Sequence, residues 1–143
     1  MINVRIKKLN EDAIIPTVGS KQAAGYDLYA CKSVIIKPNS TEAVELGLSI
    51  EISEGYFGGV FARSGLASKE GLRPANCVGV IDSDYRGEMR VMIHNDSDCE
   101  RIIEKGQRIA QLVIIPYLSV NLIEVEQLSD TERGNKGFGS TGK

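Results

Sequence analysis

The segment NCVGVIDSDYRGE, residues 76–88, carries residue types from which a hydrolytic site could be built. Val78 and Val80 alternate into a turn at 82–87 and Met89 alternates out again, the pattern of a β-hairpin. Asp82 at the root of that hairpin has two readings. It is a turn residue accepting backbone hydrogen bonds, or a carboxylate fixed by rigid strands that can orient and deprotonate a water. Asp82, Asp84 and Gly87 also hint at a calcium loop, but Arg86 stands where an oxygen ligand is required and no glutamate closes the loop. A second segment, ARSGLASKEG at 62–71, sets Arg63 and Ser64 at the start of a short helix. Free N–H groups, a hydroxyl and a guanidinium at such an end suit an oxyanion; a plain capped helix with a surface arginine would have the same sequence. In AGYDLYA, residues 24–30, Asp27 and Tyr29 fall on the strand face opposite Tyr26 and Leu28. Aspartate disfavours strand, so Asp27 implies either an edge position or a hard cation nearby.

The C-terminal stretch SDTERGNKGFGSTGK changes composition abruptly at Ser129 and contains four glycines and one large apolar residue, Phe138. It cannot pack a core by itself and is expected to be a flexible arm, residues 129–143, following a domain of residues 1–128. Gly137 to Lys143 matches the beginning of a P-loop and also a G-x-G-x-x-G fingerprint. Neither has the strand before it and helix after it that the mechanism of those motifs requires. Glycine amides with Arg133, Lys136, Ser140 and Thr141 can still wrap phosphate oxygens, or the arm can simply be disordered.

The elements that must hold these groups are strands. Val44, Leu46, Leu48, Ile50 and Ile52 alternate with Ala43, Glu45, Gly47, Ser49 and Glu51, as in one long strand with a single buried face. Ile2, Val4 and Ile6 repeat the period. RIAQLVIIP at 108–116 is apolar at nearly every position, as in a strand covered on both sides. One stretch is helical in pattern: Ser64 is placed to cap a helix through Leu66, Ala67, Lys69 and Glu70, which Gly71 ends. Many short strands with closely spaced turns predict an all-β sandwich, barrel or jelly roll.

Composition limits the function further. The 143 residues carry 17 basic and 19 acidic side chains, so any positive charge that meets a polyanion must be gathered locally, and neither a polybasic membrane surface nor stable nucleic-acid binding is expected. The three cysteines, Cys31, Cys77 and Cys99, contain no C-x-x-C pair and imply a reducing compartment. MINVRIKKLNEDA lacks the long apolar core of a signal peptide or anchor. With His94 as the only histidine, a catalytic metal would be a hard, oxygen-bound ion.

Taken together and in order, AGYDLYA, ARSGLASKEGL, NCVGVIDSDYRGE, KGQRIAQLVIIP and RGNKGFGSTG resemble the five motifs of the trimeric dUTPase family, from about residue 24 to the C-terminus. One position departs: Ala62 stands where the family usually has a proline that supplies no catalytic group. The resemblance implies a jelly-roll-like distorted β-barrel with one short helix and a Gly-rich arm. It also implies Mg²⁺-dependent hydrolysis of dUTP to dUMP and pyrophosphate by a homotrimer with shared sites, in the cytoplasm, or the nucleus for a eukaryotic or viral source. By the same resemblance, Asp82 activates the attacking water and Asp27 holds Mg²⁺ through water. Arg63, Ser64 and Gly65 grip the phosphates, with Gln111 helping to position them. Asn76 and the backbone of Val80 and Ile81 read the uracil edge, Tyr85 lies under the deoxyribose, and Arg90 lies near the ligand. Arg133, Phe138, Gly139, Ser140 and Thr141 of the arm close over it.

Two rivals share the resemblance. A dCTP deaminase on the same fold would use a glutamate to activate water, where this hairpin carries Asp82 and Tyr85. A binding protein that had lost catalysis would be expected to lack Asp82, Arg63 or the arm, and all are present.

Overall fold

Alternation builds the core of this molecule, and it is strongest between Thr41 and Ile52. In the computed structural model, which describes residues 2–137, that stretch forms β5 (Thr41–Glu45) and β6 (Leu48–Glu51). Val44, Leu46, Leu48, Ile50 and Ile52 are all buried, so the period assigns the core face correctly. The single long strand is nevertheless broken at Gly47, whose φ of 65° lies in the left-handed region that glycine tolerates. The two halves then pair with different partners: β6 with β1 (Arg5–Lys8), and β5 with β10 (Arg90–Asn95).

The remaining strands are β2 (Thr17–Val18), β3 (Tyr26–Tyr29), β4 (Val34–Ile36), β7 (Tyr56–Ala62), β8 (Leu72–Pro74), β9 (Val78–Ile81), β11 (Arg101–Ile103) and β12 (Arg108–Pro116). Helix α1 (Ser64–Glu70) links β7 to β8. A five-stranded antiparallel sheet runs β2-β3-β12-β7-β9, a second runs β5-β10-β8, and β1-β6 and β11-β4 form two-stranded ribbons. This is the all-β, jelly-roll-like architecture expected, with the strands shared among four sheets rather than closed into one barrel. One core unites them: Leu28, Leu112 and Val60 from the large sheet meet Val44, Val91 and Ile93 from the second, with Ile36 and Ile103 from a ribbon. Its one buried polar side chain among the described residues, Asn95, donates to the carbonyls of Ile36, Lys37 and Cys99 and accepts from Ser97.

Two features of the chain path bear on function, and the first corrects the expected hairpin. The 76–93 segment is not a hairpin: β9 pairs with β7, whereas β10 pairs with β5 and β8, so the 82–89 turn carries the chain from one sheet to another. Met89 leaves the turn by donating its N–H to the Leu48 carbonyl, 2.7 Å, which captures the outgoing chain for the second sheet. The chain also leaves the sheets at Pro116, before the composition change at Ser129. Residues 117–137 form no helix or strand, and Leu118, Val120, Leu122, Ile123 and Leu128 are exposed.

The large sheet presents a second apolar surface. Register puts Gln111, Val113 and Ile115 of β12 on one face with Phe61, Gly59 and Phe57 of β7 and with Val78 and Val80 of β9. The core lies on the other face, yet this outer one is apolar too, and Val80 is 63% exposed. An antiparallel sheet with one solvated face normally alternates apolar with polar.

Candidate functional site

The sequence-predicted residues gather in two separate places. The first lies where β3, β12 and the end of β7 meet. Register sets Gln111 between Asp27 and Phe61, and its side chain donates to the Ala62 carbonyl at 2.9 Å. Gly25 leaves room for it, since a Cβ there would lie 2.5 Å from Gln111 Oε1. Arg63 follows β7 directly. It, rather than Ser64, is the N-cap of α1, in an extended conformation and with no capping side-chain bond. The Arg63 side chain reaches Asp27 instead, Nε donating to Oδ1 at 3.0 Å, and Ser64 is the first residue of the helix, one residue earlier than a Ser64 cap would set it. The Ser64 hydroxyl is thereby spared from capping. Gly71 ends the helix as expected, at φ 69°.

Asp27 does not stand at a sheet edge. β3 lies between β2 and β12, so it is no edge strand. Its carboxylate, 16% exposed, is held by two guanidiniums, Arg63 on Oδ1 and Arg108 on Oδ2 at 3.2 Å. Arg63 also donates to the Arg108 carbonyl at 3.4 Å. Arg108 is the residue that motif reading missed; only the pairing of β12 with β3 brings it beside Asp27, and that register is not local information. A shallow cavity of about 440 Å³ opens here, lined by Arg63, Gly65, Lys69 and Arg108 together with Tyr29 and one carboxylate, Glu70. Its walls carry three cationic side chains and the free N–H groups of a helix start, an environment for phosphate oxygens.

No group of three or more Asp, Glu, His or Cys side chains that could hold a metal occurs among the described residues. A dedicated protein cage for a cation therefore does not fit. A single carboxylate such as Asp27 beside a largely cationic cavity does fit an ion that keeps most of its waters and takes its other oxygens from a polyphosphate, which is how Mg²⁺ commonly binds.

The second place is the turn after β9. A cavity of about 430 Å³ is lined by Val80, Ile81, Asp82, Tyr85, Met89 and Arg90. Tyr85 N–H donates to the Asp82 carbonyl at 3.1 Å, and the Tyr85 phenol donates to the Glu88 carbonyl at 2.9 Å. Arg86 donates to the Ser83 carbonyl at 2.6 Å, fixing the turn from its outer side. Arg90 reaches Glu88 at 3.4 Å and, after the dominant hydrogen bond from Lys32, helps hold the Glu45 carboxyl below its ordinary range. Asn76 is exposed just before β9, its amide over the Cα of Gly79 (3.4 Å from where a Cβ would stand). β9 is the end strand of its sheet, so one row of its N–H and C=O groups has no strand partner and can read a hydrogen-bonding edge.

These two places do not form one site within a chain. Ile81 pairs with Gly58, so Asp82 stands level with Phe57, while Arg63 follows the opposite end of β7. Six strand residues separate those levels, roughly 20 Å at the rise of a β-strand. Asp82 and Ser64 have short side chains, and the two cavities share no lining residue. Arg133 lies in the exposed segment after the sheets, its guanidinium donating to the Lys136 carbonyl at 3.0 Å. Phe138, Gly139, Ser140 and Thr141 lie outside the described residues.

Comparison with known proteins is consistent across sequence and structure. The dUTPase family model matches residues 11–142. A deoxyuridine 5'-triphosphate nucleotidohydrolase from Nautilia profundicola is 51% identical over 142 residues, spanning 99% of this chain and 100% of that protein. Its namesake from Paramecium bursaria Chlorella virus 1 is 43% identical over 142 residues, spanning 99% of each. Among solved structures, the Staphylococcus bacteriophage 80alpha dUTPase with dUPNHPP aligns over 100% of both chains with a TM-score of 0.93 at 33% identity. A mutant dUTPase of phage phi11 from S. aureus, whose structure concerns the coordination of a structural Mg(II) ion, aligns over 90% of this chain and 100% of that one, with a TM-score of 0.83 at 26% identity.

Proposed function

The chain belongs to the dUTPase family, and from that footing we propose that it is a dUTP diphosphatase, hydrolysing dUTP to dUMP and pyrophosphate by attack of water on the α-phosphorus. The observation that carries the reading is the division of labour between the two clusters. One offers an unpaired strand edge, a tyrosine and a carboxylate; the other offers guanidiniums, a free hydroxyl and an amide. Those are the complementary halves of a pyrimidine nucleoside triphosphate.

In this account the backbone of Val80 and Ile81, with Asn76, reads the uracil edge. Cytosine presents the wrong donors there and leaves buried groups unpaired, at about 1–3 kcal/mol each. Tyr85 packs under the deoxyribose and excludes a 2'-hydroxyl. Asp82 holds the water for in-line attack and accepts its proton. Arg63, the Ser64 hydroxyl and the Gly65 amide bind the phosphates, Ser64 nearest the leaving oxygen, and Gln111 orients phosphate and water. Arg90 flanks the nucleoside pocket. Asp27 would hold Mg²⁺ through water, and the ion would neutralise phosphate charge when bound. Arg63 holds one Asp27 oxygen through Nε while Arg108 holds the other, which leaves donors at the far end of the Arg63 guanidinium for the phosphates. Positioning and charge, more than the basicity of Asp82, lower the barrier in such a transfer.

The two halves meet between chains. A homotrimer with shared sites is supported by the roughly 20 Å between them along β7 and by the apolar outer face of the large sheet, which a second copy would cover. Arg133, Phe138, Gly139, Ser140 and Thr141 of the arm then close over the bound nucleotide and exclude water. The reaction removes dUTP from the nucleotides available for DNA synthesis and yields dUMP for thymidylate. No helix among the described residues is long and apolar enough to cross a membrane. The cysteine pattern favours the cytoplasm, or the nucleus of a eukaryotic host.

Pyrophosphate release from dUTP, UTP, dTTP and dCTP, with Mg²⁺ and then with excess EDTA, tests the proposal. Rapid release from dUTP alone, abolished by EDTA, is expected. Equal release from UTP, or ammonia from dCTP, would overturn it.

A further inference from the structure

The turn that carries Asp82 and Tyr85 contains one residue whose side chain is absent for a reason of space. A Cβ on Gly87 would lie 2.4 Å from Tyr85 Oη, 2.6 Å from Cζ and 2.9 Å from Cε2. No atom pair of that kind is tolerated at such distances, and three of them fall on one edge of a rigid ring. Backbone conformation is not the constraint: unlike Gly47 and Gly71, Gly87 does not occupy the left-handed region. The phenol is simultaneously tethered, donating to the Glu88 carbonyl at 2.9 Å. The Tyr85 ring is therefore seated on the bare Cα of Gly87 and pinned by the carbonyl of the next residue, and in that position it forms part of the wall of the Asp82 cavity.

We infer that Gly87 is a specificity-determining positioning residue: by offering no side chain it lets the Tyr85 ring lie at the depth that admits a 2'-deoxyribose and rejects a ribose. The inference rests on the reading of this cavity as the nucleoside pocket. A methyl group at Gly87 displaces the ring, breaks the phenol–Glu88 bond and changes the width of the cavity beside Asp82. Gly87 touches no substrate and acts only through Tyr85. Its effect on sugar selection must therefore vanish when the ring is gone.

The test is a double-substitution cycle on the full chain, with kcat/KM for dUTP and for UTP measured in wild type, Gly87→Ala, Tyr85→Ala and the double variant, alongside thermal melting of each. Gly87→Ala is expected to lower the dUTP-over-UTP ratio by about tenfold or more, as when a ring that shapes the pocket is displaced. In the Tyr85→Ala background the same substitution should change the ratio by less than about twofold, as expected when one residue acts wholly through another. Tyr85→Ala should also restore whatever melting temperature Gly87→Ala loses, so a poorly folding single variant still reports the steric link. The inference is overturned if Gly87→Ala keeps the wild-type ratio, if it lowers the ratio equally with and without the ring, or if its loss of melting temperature persists in the double variant. A wild-type enzyme that releases no pyrophosphate from dUTP would instead remove the functional reading on which the inference stands.

Discussion

Mixing two inactive variants should regenerate activity, and the amount can be worked out from the fold. Asp82→Asn disables the pocket after β9, and Arg63→Gln disables the cluster after β7. The levels of these residues are roughly 20 Å apart along one strand, whereas a base must stand within hydrogen-bond reach of the attacking water, and a phosphate ligand within reach of the phosphate oxygens, about 3 Å in each case. One chain cannot supply both to the same nucleotide. If each site draws its Asp82 pocket from one chain and its Arg63 cluster from another, equal mixing with free subunit exchange gives each half an even chance of being intact. About one quarter of sites then carry no lesion. The assay is pyrophosphate release from dUTP after the two variants are co-refolded from denaturant, with each variant refolded alone as control. Recovery near a quarter of wild-type turnover per chain is expected. Activity no higher than that of the better parent would refute the shared-site reasoning, because every site contained in one chain would retain one lesion.

Other expectations follow from the same geometry. Asp82→Asn alone should reduce turnover by about 10²–10⁴-fold while leaving affinity for a non-hydrolysable dUTP analogue, measured by calorimetry, within a few-fold of wild type. Truncation before Arg133 should leave the melting temperature near wild type and reduce turnover by about 10³-fold or more, as loss of an arginine finger does elsewhere; near-normal turnover would remove the lid. Asn95→Ala should destabilise the fold by about 3 kcal/mol, since three carbonyls and the Ser97 N–H lose a buried partner. Urea unfolding should show the lower midpoint with an unchanged slope.

What could be read from sequence was whatever depends on near neighbours. Period-two alternation identified the buried side of Val44 to Ile52 because side-chain direction along a strand is local. The end of α1 at Gly71 was legible for the same reason. The break at Gly47 was not, because its cause is that β5 and β6 serve different sheets. Nor could alternation around residues 78–93 reveal that β9 and β10 part company, since a turn between paired strands and a turn between sheets use similar residues. Asp27 is the most instructive case. Its type and place in a strand marked it as unusual, but the partners that stabilise it, Arg63 and Arg108, come from positions 36 and 81 residues away. The quoted motifs can be read along the chain, whereas the register that brings Arg108 to Asp27, and the division of the predicted residues into two clusters at opposite ends of β7, are properties of the sheet.

The central claim, that water attacks the α-phosphorus of dUTP, is tested most directly by single-turnover hydrolysis in ¹⁸O-labelled water with mass analysis of both products. One labelled oxygen in dUMP and none in pyrophosphate is expected. Label in pyrophosphate, or release of inorganic phosphate in its place, would contradict it.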